Sequence, residues 1–205
     1  MWQAIMDYWQ LSIAFVVISV ITVFVCIKAA QASKKTRAAR DIIIDRLKYE
    51  NKVRNDFKHL TPERMASAEA RALVDGIALN IQADLEKQSD MNAAFENLTQ
   101  PQKYIYALYY LLVDGARKLS EFFKMNGKPL TDYAGEAVGQ IIGCKAQELY
   151  NDEYAAYDED NEEVSLIIPQ IEEKDAAFAL LMKQTDGYAL AAAYIKQNPE
   201  QFIRK

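Results

Sequence analysis

The chain has 205 residues, 51% of them apolar, and a net charge of −5. That is room for one domain of ordinary size with a real core, and seven glycines and five prolines are too few for a sandwich of short strands and frequent turns. A single histidine, His59, and two distant cysteines, Cys26 and Cys144, rule out a disulfide framework and most His- or Cys-based catalytic and metal sites.

The first predicted element is a membrane anchor. No residue from Tyr8 to Ile27 is charged, and twenty helical residues rise about 30 Å, the thickness of a bilayer's hydrocarbon core. Trp2, Tyr8 and Trp9 stand at its outer end, where amphipathic rings favour the headgroup level. Only Asp7 precedes the run, whereas Lys28, Lys34, Lys35, Arg37 and Arg40 come after it. The positive-inside rule then predicts an outside N-terminus and a cytoplasmic remainder, anchored in a cell (inner) membrane. A cleaved signal peptide competes, because Ala30-Gln31-Ala32 resembles a cleavage site, but the basic residues lie on the wrong side for an n-region. A buried core helix is the third reading.

Charge divides the remainder of the chain. Residues 33–58 hold nine Lys or Arg against four Asp or Glu, a net of +5, whereas residues 59–205 hold 14 against 24, a net of −10. The expected organisation is a transmembrane anchor over 1–32, a basic helical stalk over 33–60, and an acidic helical cytosolic domain over 61–205. The stalk beside the membrane predicts attraction to anionic lipid headgroups. Its apolar clumps, Ile42, Ile43, Ile44 and Leu47, then Val53, Phe57 and Leu60, do not sustain a heptad.

Thr61-Pro62-Glu63 reads as a helix start, with Thr as N-cap and Pro in the first turn. The stripe Ala70, Val74, Ile77, Ile81 and Leu85 keeps helical spacing, slightly weakened by Gly76. Asp90 to Asn97 reads as a connection. Thr99-Gln100-Pro101 opens a helix whose run Tyr104 to Val113 lacks a polar face and so predicts burial on nearly all sides. Its four tyrosines suit core packing better than a base-stacking platform. Leu119, Phe122 and Phe123 continue an apolar face that Asn126-Gly127 ends. Thr131 is read as the cap of a helix through Ile142, and Gly143 separates that from Lys145 to Tyr154. Pro169 opens a further helix, Gly187 breaks it, and a last helix runs from Tyr188 to Lys196. Val164 to Ile168 is the one candidate extended piece. The fold class predicted is all-α.

The strongest local anomaly is acidic. Asp152, Glu153, Asp158, Glu159, Asp160, Glu162 and Glu163 fall in a stretch, Ala146 to Glu173, with no Lys or Arg. An EF-hand loop is excluded: counted from Asp158, the sixth position is Glu163 instead of Gly and the twelfth is Pro169 instead of Glu. A solvated loop, loose divalent-cation binding and a docking surface for a basic protein partner remain. In the docking reading the contact residues are Glu153, Asp158, Glu159, Asp160, Glu162 and Glu163. There is no Gly-rich phosphate loop, no CxxC and no nucleophile elbow, so no catalytic residue, cofactor, metal or direct nucleic-acid binding is predicted. The alternatives are an adaptor that takes a partner helix in an apolar groove and an enzyme of unrecognised type.

Three stretches carry a family resemblance: Gln102-Lys-Tyr-Ile-Tyr-Ala-Leu-Tyr-Tyr-Leu-Leu112; Asp114-Gly115 with Ser120-Glu-Phe-Phe-Lys-Met-Asn-Gly127 and Ala137-Val-Gly-Gln-Ile-Ile-Gly143; and Ala177-Phe178 through Ala193-Tyr-Ile-Lys-Gln-Asn-Pro-Glu-Gln-Phe202. From Leu98 onward the chain resembles the DNA mimic protein 19 family, a bacterial domain family. The resemblance implies an all-helical domain and, as in at least one member, an acidic surface that imitates the phosphate array of DNA and occupies a DNA-binding protein. Where that family has an Asn-Gly-Gly-Phe stretch, Asp114 to Leu119 stands here.

Overall fold

The computed structural model describes residues 40–115, 117–158 and 169–203, together with Lys28 and Arg37. The chain divides into two units, Met1–Tyr49 and Glu50–Lys205. In the first, residues 40–49 are helical, with Ile42, Ile43 and Leu47 exposed. The predicted membrane span over 8–27 lies outside the described residues. Among those residues no helix is long and apolar enough to cross a membrane.

The second unit is all-helical, with no strand among the described residues. The expected extended piece over 164–168 lies outside them. Residues 50–56 are helical, and Val53 and Phe57 are buried in the core. The globular unit therefore starts at Glu50, inside the stretch expected to be stalk, because burial of these two side chains outweighs the basic character around them. Gly76 makes this packing possible: a methyl group there would overlap the ring of Phe57. The glycine serves close approach, beyond any cost to helix propensity. The Asn80 amide fastens the same join, donating to the Arg54 carbonyl at 2.9 Å and the Gly76 carbonyl at 2.8 Å.

Helix α1 (Pro62–Ser67) begins as predicted, with the Arg64 N–H donating to Thr61 Oγ1 at 3.3 Å. It stops early. Helix α2 (Ala70–Leu85) has a start of its own, where the Glu69 carboxylate accepts from the N–H groups of Arg71 and Ala72 at 3.0 and 2.8 Å. The stretch expected to connect is a short helix, α3 (Met91–Glu96), because Asp90 caps the Ala93 N–H and Phe95 is buried.

Helix α4 (Gln100–Tyr110) is central, packing against α2 on one side and α6 (Leu130–Ala137) on the other. Ile105 through Tyr109 and Leu111 are buried, but Val113 is 38% exposed, so burial on all sides ends one turn before expected. There the chain widens into a π-turn, Leu111–Gly115, and Gly115 comes so close to Phe122 that a Cβ would sit 2.9 Å from it. Helix α5 (Leu119–Met125) comes next.

The helical stretch from α6 runs on through a π-turn, Val138–Ile142. Its N-cap is Pro129, and Thr131, expected as the cap, is buried within the first turn. Its carbonyl accepts from the Tyr150 hydroxyl at 2.6 Å, a contact that takes Thr131 inward. Gly143, with φ of 131°, turns the chain into α7 (Cys144–Tyr154). Helix α8 (Pro169–Gln184) packs against α7 and α5, and α9 (Gly187–Gln197) covers α2.

Candidate functional site

The acidic stretch begins on α7. Over residues 144–158 the buried residues are Ala146, Tyr150, Glu153 and Tyr157, at spacings of four, three and four. These are the steps of one helical face, and that face turns to the core. Glu153 is fully buried. This corrects the docking reading for that residue: its place on the Ala146–Tyr150 stripe removes it from any outer surface. Asp158 is exposed, and Glu159, Asp160, Glu162 and Glu163 lie outside the described residues. Around that segment the exposed carboxylates are Glu148, Asp152 and Asp158 on the α7 side and Glu172 and Glu173 on α8.

Beneath this rim Glu153 lies beside a second buried acid. Asp175 belongs to the inward stripe of α8, with Ile171, Phe178 and Met182. Its carboxylate accepts the Ser120 backbone N–H at 2.9 Å and the Ser120 hydroxyl at 2.6 Å. Ser120 is in the first turn of α5, whose N-cap, Lys118, supplies no side-chain cap. Asp175 thus fills that role from another helix, where negative charge suits the unsatisfied N–H groups and the dipole.

Glu153 is placed differently. Neither of its oxygens has a hydrogen-bond partner. Burial first, and the charge of Asp175 second, push its carboxyl up to about 9, while Lys174 and the Ser120 backbone pull the other way. At neutral pH Glu153 therefore keeps its proton. Two carboxyl groups are far short of the six to eight oxygens typical around Ca²⁺, and the described residues hold no group of three or more His, Cys, Asp or Glu fit for a metal.

A different arrangement surrounds Lys103, buried on α4. Its ammonium donates to Glu96 Oε2 at 2.6 Å and to the Tyr133 hydroxyl at 3.0 Å, and that hydroxyl donates to the same Glu96 oxygen at 3.0 Å. The Glu96 bond, then the Tyr133 bond, hold the lysine above its usual range. Each partner is satisfied within the cluster, which ties α3 and α6 to α4. The tyrosines of α4 pack likewise: Tyr106 and Tyr109 are buried and meet Tyr110 edge-on at 5.0 and 5.3 Å. They are core residues, as their helical setting predicts. His59 is exposed, and Cys144 is a free, exposed thiol.

A groove of about 400 Å³ lies elsewhere in the unit. Phe57, Leu60, Ile77, Ile81, Leu98 and Phe202 give its apolar walls, and Asn80, Asp84 and Gln102 its polar ones.

No family model, curated protein or solved structure matches this chain.

Proposed function

We propose that this chain is a membrane-anchored module that docks a basic protein partner on the acidic end of its helical domain. The observation that carries the reading is the set of exposed carboxylates on α7 and α8, two helices that pack together and are joined through the acidic segment. No Lys or Arg neutralises the chain between Ala146 and Glu173. Complementary charge of this kind mainly accelerates encounter and selects the partner. The uncharged run over 8–27 and the basic residues after it support an anchor that presents the domain on the cytoplasmic side. The resemblance to the DNA mimic protein 19 family narrows the partner to a DNA-binding protein, whose phosphate-binding face a carboxylate array would fill.

The test is capture from detergent extract by the full chain and by a variant with Asp158→Asn, Asp160→Asn, Glu162→Gln and Glu163→Gln, each at low and high salt. A partner held by the parent at low salt, lost by the variant and released by salt supports the reading. Identical capture by both chains at low salt sinks it.

The groove between Phe57 and Phe202 favours a second reading, an adaptor that takes a partner's amphipathic helix. Apolar burial is little screened, so such a complex persists at high salt, where an acidic interface weakens.

A further inference from the structure

We propose that Glu153 and Asp175 form a proton-held latch, a buried carboxylic acid facing a carboxylate, which closes α7 onto α8 and opens when the proton leaves.

Donor bookkeeping assigns the proton. Both oxygens of Asp175 are already occupied by Ser120 donors, the arrangement of a carboxylate. Glu153 receives no hydrogen bond at either oxygen and is fully buried. A buried carboxylate left without donors is costly, and a protonated acid beside a carboxylate supplies its own O–H to that neighbour. One proton therefore satisfies both groups. Its release to solvent leaves two negative charges side by side in a water-poor interior, an arrangement that side-by-side carboxylates avoid.

The surroundings offer little to offset the second charge. From α8 the groups facing Glu153 are Asp175 itself and Lys174, the latter half-buried. From α5 the Ser120 backbone faces it. The π-turn Val138–Ile142 has no titratable side chain. On α6, Asp132 accepts instead from the Tyr154 hydroxyl at 3.1 Å. On α7 itself, Tyr150 gives its hydroxyl to Thr131. The element that gives way is the last turn of α7, because the same deprotonation leaves the α5 cap at Asp175 intact. The burial that raises the Glu153 carboxyl to about 9 places the opening in the alkaline range.

The experiment follows the glutamate side-chain carboxyl carbons of the full chain in micelles by NMR from pH 4 to 10, together with amide exchange over residues 150–157 corrected for its intrinsic pH dependence. One carboxyl is expected to titrate several pH units above the rest and to vanish in Glu153→Gln. In Asp175→Asn, which removes the neighbouring charge, its midpoint is expected at least one unit lower. Protection over 150–157 is expected to fall across the same midpoint in the parent and to stay level in Glu153→Gln. Any of three results overturns the latch: every glutamate titrating below pH 6, an alkaline signal that survives Glu153→Gln, or a Glu153 titration that leaves protection over 150–157 unchanged. Asp175→Asn keeps the test open should Glu153→Gln fold poorly.

Discussion

Asp175 on α8 takes both hydrogen bonds that Ser120 can donate, across 55 residues of sequence. One side chain thus caps a helix to which it does not belong. Ser120→Ala removes the hydroxyl donor from a buried carboxylate. The expected loss is about 1–3 kcal/mol of unfolding free energy, read from urea denaturation of the full chain. An unchanged midpoint would remove the hydroxyl from any part in holding α5 to α8.

Glu153 makes stability pH-dependent in a direction set by its raised carboxyl. In the unfolded chain it loses its proton near the ordinary 4.5, whereas in the folded chain it keeps it to about 9. The folded state therefore binds more protons in that window, and stability falls as pH rises from 4.5 to 9. Below 4.5 its contribution is fully present. Glu153→Gln carries no such proton, so its melting temperature is expected to lie increasingly above that of the parent between pH 5 and 9. Parallel curves for the two chains would contradict this.

Gly76 is expected to tolerate no side chain. Alanine ordinarily improves a helix by about 1 kcal/mol over glycine, but here its methyl group meets the Phe57 ring. Overpacking costs about 1–3 kcal/mol, so Gly76→Ala is expected to lower the melting temperature. The double variant with Phe57→Leu is expected to recover part of the loss, which separates a steric clash from a backbone effect.

Leu108 and Leu112 lie one turn apart yet predict different outcomes. Leu108 is fully buried, whereas Leu112 is only partly so. Leu108→Asp places a carboxylate where no water reaches, at a cost of several kcal/mol, comparable with a typical domain's whole stability of about 5–15 kcal/mol. It is expected to abolish cooperative unfolding, with Leu112→Asp milder. Circular dichroism melts of both variants decide it.

Topology can be checked with a native thiol. Cys144 is exposed and free, so in a Cys26→Ser background a membrane-impermeant maleimide is expected to leave intact cells unlabelled and to react after permeabilisation. Labelling before permeabilisation would reverse the orientation derived from the flanking charges.

Much of the helical layout was legible in the residues themselves. Thr61-Pro62, Thr99 before Pro101, Gly143, Pro169 and Gly187 all stand at or beside helix ends. Such signals work because a cap or a backbone preference acts within one turn and needs nothing distant. Part of the site was legible too, since the spacing of Ala146, Tyr150 and Glu153 already places the glutamate on an apolar stripe. Reading the acidic residues as one charge run, instead of by helical face, hid that.

The rest was decided by contacts between distant segments. Spacing sets Asp175 on a stripe with Ile171, Phe178 and Met182, apart from the exposed Glu172 and Glu173, but it does not name the donors that Asp175 meets. Only the approach of α8 to the first turn of α5 gives its carboxylate two donors. Phe57 joins the core because Gly76, far along the chain, leaves room for its ring. Composition and short-range backbone preference determined that the domain is helical and where several of its helices begin. Tertiary packing decided which donors the buried acids meet and which glycine is indispensable, because donor supply and clearance depend on neighbours that sequence spacing does not name.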